Sequence, residues 1–326
     1  MTAFIVASSP SKIPRQELGA GVGCALAGFT YWSNDKDMIS AAQEYHHATS
    51  LRDAIKKLGK NDDQVPVPVT GAFHLIASKL RAATCLVDIS ATGLDFVKVE
   101  GKKVSIGGTA DFQQIVKSKE LNEILNGLIP KAARAYSTII QRNTTTLQDV
   151  LFGYATYFDL LTALVALDTQ VKVQGKQKRV VPLTQFFSKD NRAILSNQEI
   201  ATEFTFKMPS GSVGASLQRL ALTDGDAVAI LKVVAVLKMS GKKCAEARIA
   251  VGGGLPAPVR LAAIEQELVG KPLDVALVES VAGKVAGMIE PMNDVRGSAQ
   301  YRKQISGVLV RRAIEEAYRN AKGREL

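Results

Sequence analysis

The order of the predicted helices and strands constrains the fold of this chain more than any other feature of its sequence. Helix-forming and strand-forming segments come in runs, and they do not alternate strictly as in proteins built from β–α–β units. Strands dominate from about residue 171 to 222, and helices dominate after residue 259. Because runs of strands and runs of helices are typical of segregated architectures, we expect an α+β protein.

Hydrophobic periodicity and turn residues place the separate elements. Thr49 or Ser50 can cap a first helix that Gly59 stops. A helix across 121–139 is expected to break at Pro130, because proline lacks the N–H group that a helix interior needs. The other predicted helices cover 73–80, 111–116, 159–167, 259–268, 274–285 and 298–321, and the predicted strands cover 65–69, 85–89, 96–100, 104–106, 171–173, 179–183, 200–206 and 246–251.

Length and a change of sequence character predict the domain organisation. A chain of 326 residues is too long for one ordinary core and suits two domains, or three small ones. The character changes near Thr223-Asp224-Gly225, where an apolar segment, 227–238, follows the strand-rich part. Residues 1–43 look unlike the rest of the chain. We therefore predict an N-terminal extension at 1–43, a first domain at 44–220 and a second domain at 221–326.

Charge and cysteine usage argue against several classes of function. The net charge is +10, but lysine and arginine are scattered, and the one dense basic run, 172–179, is interpreted as a solvated hairpin. Nucleic-acid binding is therefore not expected. Cys24, Cys85 and Cys244 lie far apart, so this chain alone cannot form a zinc knuckle or an iron–sulfur cluster. A sparse, odd cysteine count is typical of a reducing compartment, and we predict a cytoplasmic protein.

The N-terminal extension contains two weak signals. No apolar run reaches the roughly 18 residues of a membrane span, and the nearest, 18–32, has no clean cleavage site. Gly19, Gly21 and Gly23 resemble the start of a dinucleotide loop, but Cys24 takes the place of the third motif glycine and no strand precedes them. We interpret the stretch as small residues that pack on the domain or on a neighbour.

Three separated blocks of this sequence resemble one protein family. The first is 44–58 (EYHHATSLRDAIKKL), and the second is 86–108 (LVDISATGLDFVKVEGKKVSIGG). The third comprises 252–270 and 292–316, and its most specific pattern is Asp294-x-Arg296-Gly297-Ser298-x-x-Tyr301-Arg302. Over about residues 44–320 the chain resembles the FAD-binding medium subunit of molybdenum hydroxylases, the carbon monoxide dehydrogenase and xanthine dehydrogenase group.

The resemblance implies a fold and a role. The implied fold is a two-lobed FAD-binding domain of the vanillyl-alcohol-oxidase, or PCMH, type, followed by a small α+β C-terminal domain. The two lobes would cover about 44–108 and 109–220. The resemblance also implies two partners: a large molybdopterin subunit that oxidises the substrate, and a small iron–sulfur subunit that passes electrons on. The flavin of a medium subunit then hands these electrons to an acceptor.

The family binds the pyrophosphate of FAD with two glycine-rich loops, and the first is strongly altered here. Backbone N–H groups of such loops form an anion cradle, and glycines allow the close approach. The family pattern Ala-Gly-Gly-Thr-Asp-Leu corresponds to Thr70-Gly71-Ala72-Phe73-His74-Leu75. Only Gly71 and Leu75 match, while Phe73 replaces the threonine and His74 replaces the aspartate.

The second loop keeps its frame and loses its glycines. The family pattern Ile-Arg-Asn-x-x-Thr-x-Gly-Gly-Asn corresponds to 141–150, in which Gln148 and Asp149 stand at the two glycine positions. The register is fixed because Asp159 follows Thr146 at the family's spacing. The resemblance thus implies cofactor-binding positions at Gly71, Ala72, Phe73, His74, Leu75, Arg142, Asn143, Thr146, Gln148, Asp149 and Asp159.

These substitutions leave more than one function open. A side chain at a glycine position should clash with the phosphate or strain the backbone by about 1–3 kcal/mol. An ionised Asp149 would repel the phosphate by roughly 4 kcal/mol per unit charge at ~4 Å and an effective dielectric near 20, and a protonated His74 would offset part of this. We expect weakened or lost FAD binding and a structural role.

The alternative is a functional FAD subunit that relays electrons from iron–sulfur clusters to an acceptor. A stand-alone basic interaction module is a weaker third hypothesis, because the family blocks argue against it.

Other prominent residues have a structural interpretation. The resemblance places a structural turn at 252–254, although three glycines after a strand also look like a phosphate loop. On the terminal helix we expect core anchors and interface charges at Tyr301, Arg302, Arg311 and Arg312. One face of this helix should contain Tyr301, Ile305, Val308, Leu309 and Arg312. No Ser–His–Asp, Cys–His or paired-carboxylate arrangement is visible, so no substrate chemistry is expected on this chain.

Overall fold

The computed structural model describes residues 42–59, 65–71, 83–151, 157–187, 195–223 and 228–326. All of them belong to one compact unit, Lys36–Leu326. Within these ranges, no helix is long and apolar enough to cross a membrane. The strands are β1 (Glu44–His47), β2 (Pro66–Val69), β3 (Cys85–Asp88), β4 (Val97–Glu100), β5 (Lys103–Gly107), β6 (Gln170–Gln174), β7 (Lys178–Pro182), β8 (Ile200–Lys207), β9 (Ser212–Leu220), β10 (Leu231–Ser240), β11 (Lys243–Gly252) and β12 (Val259–Arg260). The helices are α1 (Leu51–Leu58), α2 (Phe112–Lys117), α3 (Lys119–Glu123), α4 (Leu128–Arg134), α5 (Ile139–Arg142), α6 (Leu147–Val150), α7 (Asp159–Ala166), α8 (Ala262–Leu268), α9 (Val275–Lys284) and α10 (Ala299–Lys322).

A three-stranded parallel sheet forms the first layer, with the strands in the order β1-β3-β2. Pro66 and Pro68 cannot donate to a sheet, and β2 lies at the edge as these prolines predict. Helix α1 packs Ala54 and Leu58 against β3. Ser50, one of the two predicted capping residues, caps this helix. The sheet positions the end of β2, from which the first candidate loop starts.

A five-stranded antiparallel sheet forms the second layer, in the order β4-β5-β8-β6-β7. Both predicted hairpins, β4–β5 and β6–β7, are present, and the basic run 172–179 belongs to the second one. β5 pairs with β8, so the first hairpin joins strands that come a hundred residues later in the chain. The predicted lobe limit at residue 108 therefore lies inside the part of the chain that forms this sheet.

The helices before the second candidate loop show where the predicted break is wrong. Pro130 is the third residue of α4 and lies in its first turn, where a missing N–H group removes no helical hydrogen bond. The chain breaks earlier, at 125–127, where Leu125 and Asn126 have φ angles of +49° and +55°. Helix α4 then ends at Arg134, before the predicted end at 139.

A four-stranded antiparallel sheet forms the third layer, in the order β12-β11-β10-β9. Because β9 covers 212–220, this sheet begins before the boundary predicted near residue 220. In β10, Val234 and Val236 join the core of the second layer, whereas Val233 and Leu237 join a second core with the C-terminal helices. Burial on both faces explains why the segment 227–238 shows no alternation of polar and apolar residues.

The terminal helix α10 packs on the third sheet through a face that differs from the predicted one. Tyr301 and Arg312, which belong to the predicted face, are exposed. The buried residues are Arg302, Ser306, Leu309, Val310, Ala313, Ile314, Ala317 and Tyr318. The error arises because this face includes an arginine and a serine, which a search for apolar periodicity does not select.

Candidate functional site

The two predicted loops meet in the structure. Thr70 and Gly71 follow the edge strand β2, and Thr144 and Thr146 precede helix α6. The hydroxyl oxygens of Thr70 and Thr146 are 3.3 Å apart. A Cβ atom on Gly71 would lie 3.1 Å from the carbonyl oxygen of Thr144, so glycine permits this close approach. Residues 72–75, the remainder of the first loop, lie outside the described residues.

The glycine positions of the second loop form a capped helical turn. The hydroxyl of Thr146 accepts a hydrogen bond from the N–H group of Asp149, whose carboxyl group accepts one from the N–H group of Thr146. This reciprocal pair is a capping box, which favours a helical turn. Neither Gln148 nor Asp149 has a positive φ angle. The predicted backbone strain is therefore absent, because a helical turn suits any L-residue.

Gln148 connects this turn to the second sheet. Its side chain is fully buried, and its Oε1 atom accepts a 2.7 Å hydrogen bond from the N–H group of Ala201 in β8. Its own N–H group donates to the carbonyl oxygen of Gly108 at 2.8 Å. A Cβ atom on Gly108 would lie 1.8 Å from the carbonyl oxygen of Ala201, so this contact needs glycine. The side chain at the first glycine position is thus used inside the protein.

Asp149 connects the two loops from the second glycine position. Its Oδ2 atom accepts hydrogen bonds from the N–H and hydroxyl groups of Thr146 at 3.0 and 2.8 Å. The same atom accepts a bond from the hydroxyl of Thr70 at 2.5 Å. Asp149 is 2% exposed. Burial raises the pKa of Asp149, and the hydrogen bonds from Thr70 and Thr146 oppose this increase.

The backbone N–H groups of the second loop are already used within the chain. Those of residues 143, 144 and 145 donate to the carbonyl oxygens of Ile139 and Gln141. Those of residues 147 and 148 donate to Ala110 and Gly108, and those of 146, 149, 150 and 151 bond within the capped turn. Each N–H group from 143 to 151 therefore has an acceptor in the chain. An anion cradle requires N–H groups that point at the anion instead.

Arg142 stabilises the bend before the second loop. Its guanidinium group donates to the side-chain oxygen of Gln113 at 3.0 Å, and to the carbonyl oxygens of Tyr136 and Ser137 at 3.2 and 2.6 Å. Ser137 has a φ angle of +46°, so these bonds hold a left-handed turn. Asn143, the next family position, ends helix α5 and is exposed. The protein itself therefore engages Arg142, whereas Asn143 faces solvent.

Asp159 begins helix α7 and forms a buried ionic cluster with the third sheet. Its Oδ1 atom is 2.7 Å from the Nζ atom of Lys232 in β10, and its Oδ2 atom accepts a bond from Nε of Arg219 in β9 at 2.8 Å. The side chain of Lys232 is fully buried, and that of Asp159 is 2% exposed. Burial lowers the pKa of Lys232, and the charge of Asp159 opposes this effect. Asp159 thus links the second and third layers.

The glycine turn at 252–254 is structural, as predicted. Gly253 and Gly254 have φ angles of +85° and +63°. A Cβ atom on Gly254 would lie 2.3 Å from the Nε atom of Arg302, so the turn accommodates this buried arginine. The prediction of Arg302 as a core anchor is confirmed. Tyr301 is 43% exposed, and for this residue the prediction of a core anchor is wrong.

The pattern around Asp294 fixes the start of α10. Arg302 donates to the carbonyl oxygens of Ile230 and Gly297 at 3.0 and 2.9 Å, and it pairs with Asp294 at 2.5 Å. Arg296 also pairs with Asp294, at 2.5 Å. Burial acts to raise the pKa of Asp294, but the hydrogen bonds from Arg296 and Arg302 outweigh it and lower the pKa to about 2. This cluster therefore serves the fold of the C-terminal part.

Two family models match almost the whole part of the chain that is described. Residues 39–208 match the FAD binding domain in molybdopterin dehydrogenase, and residues 219–317 match the CO dehydrogenase flavoprotein C-terminal domain. This chain belongs to the family of medium, FAD-type subunits of molybdenum hydroxylases. The resemblance in the sequence blocks is thereby confirmed.

Relatives in this medium-subunit family match along nearly their full length. The glyceraldehyde dehydrogenase medium chain of Sulfolobus acidocaldarius is 28% identical, over 83% of this chain and 97% of the relative. The carbon monoxide dehydrogenase medium chain of Hydrogenophaga pseudoflava is 26% identical, over 86% and 99%. In the solved structure of reconstituted CO dehydrogenase from Oligotropha carboxidovorans, the matching chain has a TM-score of 0.77 and 25% identity, over 87% of this chain and 100% of that one. The predicted α+β fold of this family is confirmed.

The medium-subunit family implies FAD, and the described residues of the second loop do not fit its pyrophosphate. Both glycine positions carry buried side chains. Each N–H group from 143 to 151 already has an acceptor, and Asp149 places a carboxyl group at the junction of the loops. An anion at this junction would meet an acceptor-rich group where the family presents donors. The described contacts hold two loops and two sheets together.

Sequence reasoning missed Thr70 and Lys232. Thr70 binds Asp149 across a separation of 79 residues, and no local pattern reveals such a contact. Lys232 had a visible signal, because it is a charged residue within the apolar segment 227–238. Among the described residues, no group of three or more histidine, cysteine, aspartate or glutamate side chains could hold a metal ion.

Proposed function

We propose that this chain is a medium subunit of a molybdenum hydroxylase complex in which FAD binding is weakened or lost and the flavoprotein fold has a structural role. In this role the chain binds a large molybdopterin subunit and a small iron–sulfur subunit and holds them together. The buried free thiols of Cys85 and Cys244 are in keeping with a cytoplasmic location.

The observation that carries the proposal is the internal hydrogen bonding of the second loop. Gln148 binds β8 and Asp149 binds both loops, so the two groups that replaced glycines are committed to the fold. Binding a pyrophosphate there would require these bonds to break and a buried carboxyl group to approach an anion. A buried acceptor left without its donor costs about 1–3 kcal/mol, which weakens binding by one to two powers of ten per bond.

The flavin content of the assembled complex tests this proposal. The complex would be isolated through an affinity tag on this chain, and its flavin released by acid and quantified by fluorescence. We expect far less than one FAD per chain, and no flavin absorbance band. About one FAD per chain would overturn the structural role.

Restoring the glycines tests whether these two side chains account for the loss. The variant Gln148→Gly/Asp149→Gly should bind more FAD than the natural chain when both are titrated with FAD. The control variant Lys176→Gly/Gln177→Gly adds two glycines at exposed positions, in the turn of the β6–β7 hairpin. The control should bind no additional flavin, and equal binding by both variants would contradict the assignment.

One observation favours the alternative, a functional FAD subunit that relays electrons to an acceptor. The two loops still meet at Thr70 and Thr146, and Asn143 still faces solvent beside them. Under this alternative, the complex would contain about one FAD per chain, and this flavin would be reduced when the reductant dithionite is added and reoxidised by an acceptor dye. If the complex showed no flavin absorbance that dithionite removes, the alternative of a functional FAD subunit would be excluded.

A further inference from the structure

The contacts of Asp149 give this loop pair a function that deepens the proposed structural role and rests on it. We infer that the side chain of Asp149 replaces the cofactor as the group that holds the two loops together. An internal contact then joins Thr70 to the second loop, and this junction does not need FAD to order it. The contact among Asp149, Thr146 and Thr70 is called the loop latch below.

The loop latch joins parts of the chain that are far apart in sequence. One oxygen atom, Oδ2 of Asp149, accepts three hydrogen bonds, two from Thr146 and one from Thr70. The bonds to Thr146 are local, because they also complete the capping box of α6. The bond to Thr70 spans 79 residues and connects this turn to the end of the parallel sheet. This long-range bond distinguishes the latch from an ordinary helix cap.

The hydrogen-bond donors within the loop latch are neutral groups of Thr70 and Thr146. Among the described residues, no cation pairs with the carboxyl group of Asp149. Hydroxyl and backbone N–H groups are also the donors with which loops bind anions. A carboxyl group is a compact acceptor that can satisfy these donors from within the chain. Because Asp149 is 2% exposed, loss of the carboxyl group would leave buried donors without a partner.

Surrounding contacts make the latch a rigid junction. Gln148, the neighbour of Asp149, is bound on both its backbone and its side chain to the second sheet. Gly71, the neighbour of Thr70, packs closely against Thr144. A Cβ atom at position 71 would lie 3.1 Å from the carbonyl oxygen of Thr144. The loop latch therefore fixes the end of β2 relative to the second sheet. A cofactor bound between the loops would otherwise have this role.

Hydrogen exchange in the full chain tests the latch. The variant Thr70→Val removes the distant hydroxyl group and leaves the capping box of α6 intact. We expect amide exchange in peptides covering 141–151 to accelerate by about tenfold, although the substitution lies outside that segment. The variant Thr70→Ser keeps a hydroxyl group and should restore exchange to within about twofold of the natural chain.

A matched control comes from the second loop itself. The hydroxyl of Thr144 donates to the carbonyl oxygen of Gln141 and does not touch Asp149. Thr144→Val should therefore leave exchange at Thr146 and Asp149 unchanged. Equal protection of 141–151 in the natural chain, Thr70→Val and Thr144→Val would overturn the latch, and so would equal acceleration in the two valine variants.

A double-variant comparison covers the case in which one substitution disturbs folding. Asp149→Ala and Thr70→Val should each lower the thermal midpoint, and their combination should lower it by less than the sum, because both remove the same bond. Asp149→Asn keeps an acceptor oxygen and should lie close to the natural chain. If the two changes in thermal midpoint were fully additive, the loop latch would be contradicted. This conclusion would hold whatever the flavin content of the complex. Flavin content alone decides the proposed function, so the two failures are distinguishable.

Discussion

At the scale of single residues, the position of a side chain decides its role more than its type does. Gln148 and Asp149 look like obstacles in a phosphate loop when only the sequence is considered, because both are polar groups at glycine positions. In the structure both are buried and hydrogen-bonded to other parts of the fold. Gly254 gives the converse case, since its missing side chain provides the space that Arg302 occupies.

Replacing Gly254 with alanine should lower the free energy of unfolding by about 2–4 kcal/mol. The new Cβ atom would lie 2.3 Å from the Nε atom of Arg302, and the backbone has a φ angle of +63° that disfavours L-residues. Urea unfolding followed by circular dichroism measures the change. The control is Gly283→Ala in the exposed part of α9, where a Cβ atom has open space, and it should be neutral or stabilising by up to about 1 kcal/mol. Similar losses in both variants would contradict the steric argument.

At the scale of elements, charged networks fix where helices start. Ser298 caps the start of helix α10, because its hydroxyl accepts a hydrogen bond from the N–H group of Tyr301. The cluster of Asp294, Arg296 and Arg302 then ties its first turn to the preceding loop and to Ile230. The most specific sequence pattern of the family thus provides the contacts that hold the start of α10.

The acid sensitivity of the protein should depend on Asp294. Because its pKa of about 2 in the folded protein lies below its ordinary value of 3.8, the ionised carboxylate stabilises the fold above about pH 4. This stabilisation is lost as the pH falls through about 2. Asp294→Asn should therefore be less stable than the natural chain at neutral pH, and the difference should shrink as the pH falls from about 4 to about 2 in urea unfolding experiments.

Glu290→Gln is the control for this pH dependence. Glu290 pairs with Lys303 at 2.9 Å but is 85% exposed, so its removal should change stability little at any pH. A difference between Asp294→Asn and the natural chain that stays constant down to about pH 2 would show that the ionised carboxylate is not the stabilising group.

At the scale of the whole molecule, the third sheet connects the two cores. One face of β10 belongs to the core of the second layer, and the other face belongs to the core under the C-terminal helices. Asp159, Lys232 and Arg219 add a buried ionic link between α7 and this sheet. We expect the second and third layers to unfold as one cooperative system, because neither of these two cores is complete without the shared sheet.

Removal of Lys232 should weaken this link strongly. Lys232→Met leaves Asp159 buried with its Arg219 contact alone, and breaking a buried pair in this way costs about 3–5 kcal/mol. Calorimetry should show a lower midpoint. The double variant Lys232→Met/Asp159→Leu removes both charges and should be less destabilised than the single variant, because no carboxylate is left uncompensated. A double variant at least as unstable as the single one would refute the argument.

The sequence by itself determined the family and several local elements. Some features depend only on hydrogen bonding and backbone sterics between neighbouring residues, so the sequence predicts them. They include the cap at Ser50, the prolines of β2 and the two hairpin turns. The sequence also predicted the positions of both candidate loops, because these positions follow from the spacing of family residues along the chain.

Only the tertiary structure decided which contacts the described residues of these loops make. The partner of Asp149 lies 79 residues away, the partner of Gln148 lies 53 residues away, and the buried face of α10 includes an arginine that binds a turn 72 residues earlier. These contacts depend on which chain segments pack together. Packing is set by the free energy of burying the whole core, which no local pattern contains, and it joins the second loop to the end of β2 and to β8.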